Sequence, residues 1–168
     1  MNPNVDWEQR SADLWAAFNA APEDWDEDEF RTRVGDLADE LGPQHPVAAF
    51  ERACAWDSTG HSDRAVPLYR RSLELGIDGI RRRRAVIQLS SSLRNIGQAE
   101  ESVRLLTEER ERGSDELDDA LSATLALALT SVGREREAVS TAVGALAKHL
   151  PRYQRSMANY ARLLVEPH

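Results

Sequence analysis

The chain has little that would staple, anchor or catalyse. Its single cysteine, Cys54, excludes an intrachain disulfide framework and suits a reducing compartment. The longest apolar runs are far too short for a membrane span: the stretch from Thr124 to Thr130 encloses only five such residues. No basic stretch followed by an apolar core opens the sequence, so a soluble, cytoplasmic protein is expected. The histidines His45, His61, His149 and His168 fall at predicted turns or ends, and none has a ligand-type partner one helical turn away. There is no phosphate-cradling glycine loop and no G-x-S-x-G. Carboxylate pairs such as Glu100/Glu101 and Asp118/Asp119 have no predicted apolar cleft to raise their pKa, and read as surface charge. Cys54 reads as a small buried hydrophobe before a reactive thiol. No metal, no cofactor and no catalytic group is expected, and the chain is not read as an enzyme.

Basic charge is also short. The sequence holds 29 Asp and Glu against 21 Lys and Arg, a net charge of −8, which argues against a general nucleic-acid binder. The imbalance is local: residues 1–41 carry 12 acidic side chains and 3 arginines, whereas residues 42–168 come to a net of +1. Lysine is nearly absent, Lys148 standing against 20 arginines, a bias read first as a genomic preference.

What remains is helical patterning. No segment shows sustained period-two alternation, so strands are not expected. Helices are predicted over 6–19, 24–41, 46–59, 62–75, 78–95, 99–112, 115–132, 134–150 and 153–165, with Trp15, Trp25 and Trp56 assigned to packing. Ser62 and Ser114 are candidate caps, and Pro67 is deep enough in its helix to threaten a local distortion. Gly42-Pro43, Gly76 and Gly113 close helices. Eight or nine antiparallel helices with short connections make an all-α, α-solenoid pattern.

The pattern repeats. Setting Gly60 over Gly97 and Gly133 aligns three helix-turn-helix units, 37 and then 36 residues apart. Each has a small residue seven before the glycine (Ala53, Ser90, Ala126), an apolar residue four before it (Trp56, Leu93, Leu129) and a small residue five after it (Ala65, Ser102, Ala138). Small residues let two helices approach closely where they cross.

These motifs resemble the tetratricopeptide repeat, and specifically the actinobacterial type, with slightly long repeats and an arginine-rich run opening one of them. The resemblance covers about residues 44–166. The usual large residue at the first motif position is replaced by Ala49, Val86 and Ser122, and the spacing exceeds the usual length of roughly 34. Residues 36–43 are similar to the end of a further return helix, so residues 1–43 are expected to form an acidic arm or degenerate capping repeat. Repeats then fall at about 44–77, 78–113 and 114–150, closed by a capping helix over 152–165.

The resemblance implies a right-handed solenoid whose concave groove is lined by the first helix of each pair. It assigns to that groove Phe50, Cys54 and Asp57, then Arg84, Ile87, Ser91, Arg94 and Asn95, then Leu127, with Arg155 from the closing helix. The family's carboxylate clamp is not reproduced, since two of its positions are Phe50 and Cys54. A carboxylate could still be received by Arg84, Arg94 and Asn95, which suits an extended acidic peptide. The run Arg81–Arg84 reads either as a solvated face or bridge to neighbouring acids, or as a ligand site, because four consecutive helical residues point about 100° apart. The expected function is a non-catalytic protein–protein interaction scaffold of a bacterial cytoplasm. The alternative is a homo-oligomer whose acidic arm docks on the arginine-bearing groove. A small-ligand binder using Cys54 or the arginines stands behind both.

Overall fold

The computed structural model describes residues 3–20 and 26–166. Trp25, the predicted helix start at Asp24 and His168 lie outside the described residues. Among those described there are nine α-helices: α1 (Pro3–Asn19), α2 (Glu27–Asp39), α3 (Pro46–Ser58), α4 (Ser62–Glu74), α5 (Gly79–Asn95), α6 (Ala99–Arg112), α7 (Asp118–Ser131), α8 (Glu135–Ala147) and α9 (Gln154–Leu163). They fall into two compact units, Met1–Ile77 and Asp78–His168.

The turn inside each aligned pair has one chemistry. Gly60, Gly97 and Gly133 have φ of 80°, 83° and 73°, the left-handed region that favours glycine. The amide of the following residue reaches back across the turn: His61 N to Trp56 O at 2.9 Å, Gln98 N to Leu93 O at 2.8 Å and Arg134 N to Leu129 O at 2.9 Å. Each glycine amide also bonds a carbonyl three residues back, so both orphan carbonyls of the helix end are satisfied as in a Schellman motif. The apolar residue four before the glycine is therefore the acceptor position of that motif. In the first pair it also carries the hydrophobic contact, with the Trp56 and His61 rings edge to face at 5.3 Å.

Unit 1 packs α1 on α2, α2 on α3, and α3 on α4. Asp26 caps α2, its carboxylate accepting from the amides of Asp28 (2.9 Å) and Glu29 (3.0 Å). The core here is aromatic. Phe18 stacks on Phe30 with centroids 4.1 Å apart, and Trp15 meets Phe30 edge-on at 5.1 Å. Both buried indole faces have polar ends that are satisfied: Trp7 donates to Leu37 O and Trp15 to Glu51, each at 2.7 Å. Helix α4 runs unbroken through Pro67. The bond the ring forfeits belongs to the carbonyl of Asp63, an exposed residue of the first turn.

Unit 2 pairs α5 with α6 and α7 with α8, joined by α6 on α7 and α5 beside α7, with α9 laid on α8. Its core is aliphatic: Leu106, Leu121, Leu125 and Leu129 gather with Ile87 and Val103. The small crossing residues are buried in both units, among them Ala53, Ala65, Ser90 and Ser102.

Helix α1 starts three residues earlier than expected, at Pro3, α2 ends two earlier, at Asp39, and α8 three earlier, at Ala147; three further boundaries differ for a visible reason. Ser62 is the first helical residue and not the cap; with Gly60 left-handed, His61 takes the half-in position. Helix α7 begins at Asp118, not Asp115: the Asp118 carboxylate accepts from the Ser114 hydroxyl and the Asp115 amide, and Asp115 accepts from the Leu117 amide, which holds this segment out of the helix. Helix α9 begins after Tyr153, whose left-handed φ of 69° breaks the chain direction.

Candidate functional site

The expected groove residues separate by unit. In unit 1, Phe50 is wholly buried, tilted against Tyr69 at 6.2 Å. Cys54 is buried too, with the Tyr69 hydroxyl 3.6 Å from its sulfur. The same hydroxyl lies 3.3 Å from Asp57, whose other oxygen accepts from Ser62 at 3.4 Å. Burial, with Cys54 and Asp57 adding to it, pushes the Tyr69 phenol far above its ordinary range, so it stays a neutral donor. Contrary to expectation, Phe50 and Cys54 give a partner no surface. Helix α3 is packed by both α2 and α4, and its small and aromatic side chains fill the space between them.

In unit 2 the residues divide along the helix. Ile87 belongs to the aliphatic core and is likewise withdrawn from any groove. Arg84 and Asn95 are exposed, while Ser91 and Arg94 are half-buried, Arg94 donating to the Asn95 side chain at 3.0 Å. On the neighbouring α7, Leu127 is 56% exposed and Ala123 is exposed one turn before it. The α7 hydroxyls turn inward to their own backbone: Thr124 bonds Ala120 O, Thr130 bonds Ala126 O and Ser131 bonds Leu127 O. The α5 and α7 face therefore presents apolar side chains beside guanidinium and amide groups. Arg155, on α9, is exposed.

The arginine run that opens α5 resolves position by position. Arg82 donates from Nη1 to both oxygens of Glu109, at 2.7 and 2.8 Å. Arg83, 6% exposed, reaches Asp118 at 2.5 Å, Asp115 at 3.0 Å and the Gly113 carbonyl at 3.0 Å. Glu109 is 3% exposed. Two of the four arginines thus bridge to acids of α6 and the α6–α7 connection, and Arg84 is left on the exposed side. Cations at a helix start oppose its dipole, and the buried acids offset that cost. A bridge to neighbouring acids is one of the readings the run allowed; the acids that make it were not identified. Its one visible trace is that Arg83 and Asp118 stand about one repeat apart.

The Ser114 hydroxyl and the Asp115 amide, with Arg83 and Lys148 beyond them, hold the Asp118 carboxyl below its usual value. Lys148 at 2.8 Å and His149 at 2.9 Å do the same for Asp119. Among the described residues no His, Cys, Asp and Glu side chains are gathered as a metal site, and no helix is long and apolar enough to cross a membrane.

A family model for the tetratrico peptide repeat matches residues 46–164. The chain belongs to the tetratrico peptide repeat family. The match takes in all three aligned turns and α9, and agrees with the all-helical fold of stacked pairs. Neither a curated protein nor a solved structure matches the chain. Tetratrico peptide repeats make protein-interaction scaffolds.

Proposed function

We propose that this repeat protein is a non-catalytic scaffold that holds a segment of a partner protein against the α5–α7 face of unit 2. The observation that carries the reading is Leu127, a leucine 56% exposed on the open side of α7, the helix packed beside the one that bears Arg84, Arg94 and Asn95. A surface of that composition suits an extended segment with an apolar side chain and carboxylates, the apolar group supplying affinity and the guanidinium groups orienting it. The lone buried thiol fits work in a reducing compartment, and a cytoplasmic location is part of the same reading.

The test is capture from native lysate with wild type and with Arg84→Glu/Leu127→Asp, each checked for unchanged helicity. A specific partner held by wild type and lost by the variant, whose synthetic segment then binds directly, supports the scaffold. A partner held equally by both moves the interface off this face. Turnover of a substrate that vanishes on changing one residue of the face would replace the scaffold with an enzyme.

A further inference from the structure

A different surface of each unit remains unaccounted for, and the two are complementary. In unit 1 a cavity of about 430 Å³ lies between α1 and α2. Leu14 and Leu37 contribute apolar lining, and Asp13 and Asp36 line it with charge. Arg10 at the same site is spent on Glu40, two bonds of 2.8 and 2.6 Å, while Arg33 stands exposed on the α2 side. Asp36 is exposed and has no ion pair among the described residues.

In unit 2, α9 rests on α8 and buries only Ala161 fully, with Ser156, Met157 and Leu164 half-buried. Its other sides are open. Arg155 and Leu163 lie two turns apart on one side, and Tyr160 lies one turn from Leu163; Leu163 is 40% and Tyr160 61% exposed. The helix contains no acidic residue, and Arg155 has no ion pair among the described residues, whereas Arg162 is taken by Glu166. Unit 1 carries a net of −9 and unit 2 a net of +1.

We infer that α9 of one molecule docks in the α1–α2 cavity of a second copy of this chain, Leu163 and Tyr160 meeting the Leu14 and Leu37 lining and Arg155 facing Asp13 and Asp36. The contact joins two different surfaces, so two copies can exchange it reciprocally or pass it on head to tail. It is small and partly ionic, which makes it weak and sensitive to salt. This association uses neither α5 nor the exposed face of α7, and it stands or falls apart from the scaffold reading.

The experiment is sedimentation equilibrium over a roughly hundredfold concentration range, with two variants. The tail variant is Arg155→Glu/Leu163→Glu and the cavity variant is Asp13→Asn/Asp36→Asn, all four at positions exposed to solvent, with helicity confirmed. Wild type should gain mass with concentration, to a dimer or beyond, and lose that gain at high salt. Each variant alone should stay monomeric, and an equimolar mixture should form a one-to-one pair that grows no further, since only one intact tail and one intact cavity remain. Wild type that is monomeric throughout overturns the proposal. So does a cavity variant that still associates alone, which would point to contact between two α9 helices, and so does a mixture that forms no pair.

Discussion

The two units solve one packing problem with different materials. Unit 1 fills the space between its helices with rings: Trp7, Phe30, Phe50 and Tyr69 are buried, and Trp15 and Phe18 pack against them. Unit 2 uses leucines, and its two aromatic residues, Tyr153 and Tyr160, are both exposed. Where unit 1 ties its buried polar ends with neutral indole and phenol donors, unit 2 buries an arginine against acids. The rule the two share is narrower than a residue type. A small residue stands at each crossing and a left-handed glycine at each turn, and the remaining volume is filled by whatever fits. Ring cores and aliphatic cores are alternative fillings of the same frame.

The largest expected effect tests whether the ion cluster is as central to unit 2 as rings are to unit 1. Arg83→Ala removes a buried cation and strands carboxylates that folded around it, at a cost of about 3 kcal/mol. Phe30→Leu in unit 1 keeps an apolar side chain and costs about 1.5 kcal/mol. All four tryptophans lie in unit 1, so indole fluorescence follows that unit while helical circular dichroism follows both. In urea, Arg83→Ala should lower the dichroism midpoint and leave the fluorescence midpoint near its wild-type value. A coincident shift of both signals would break the division into two units.

The shared turn should show a smaller and equal effect. A Cβ built on Gly60 or Gly133 meets nothing within 4 Å, so the cost of alanine there is conformational alone, about 1 kcal/mol. Gly60→Ala and Gly133→Ala should therefore lower the urea midpoint alike. A clear inequality would mean that the frame differs between the units and not only its filling.

The smallest effect concerns acid. Asp119 in unit 2 and Glu40 in unit 1 are both held below their usual pKa, the first by Lys148 and His149, the second by Arg10. A depressed folded-state pKa gives stability that is complete above the unfolded value and lost as pH falls through the folded one. Asp119→Asn should lower the melting temperature slightly at neutral pH and flatten the acid limb of its pH dependence below about pH 4. A variant that melts like wild type at neutral pH and follows the same acid limb would show that this surface pair contributes nothing.

The frame was legible in the sequence because its causes are local. Gly60, Gly97 and Gly133 announce themselves by φ requirements that only a few neighbouring residues settle, and the crossing residues follow at fixed offsets. Most helix limits lie within a residue or two of expectation for the same reason. The start of α7 was missed because Asp115 and Asp118 close a turn on the amides and hydroxyl around them before the helix begins, and Arg83, 35 residues upstream, pairs with both carboxylates. The groove was read less well. The family pattern gives the side of a helix that faces the first-helix row, but not whether a neighbour covers it. Phe50, Cys54 and Ile87 satisfied the pattern and are covered, whereas Arg84, Asn95 and Leu127 satisfied it and are open. Composition gives the filling only in aggregate.

The Arg83 cluster limits how this chain could have been shortened or lengthened by copying. The turns are self-contained, each ending its own helix with its own backbone, so a helix pair can be duplicated at a turn without a new junction being invented. The arginine breaks that freedom in one place. It belongs to the second pair but is bonded to the entry of the third, so excising the second pair would leave Asp115 and Asp118 without their cation. Removing pair two alone therefore carries a cost that removing a pair at a self-contained turn does not.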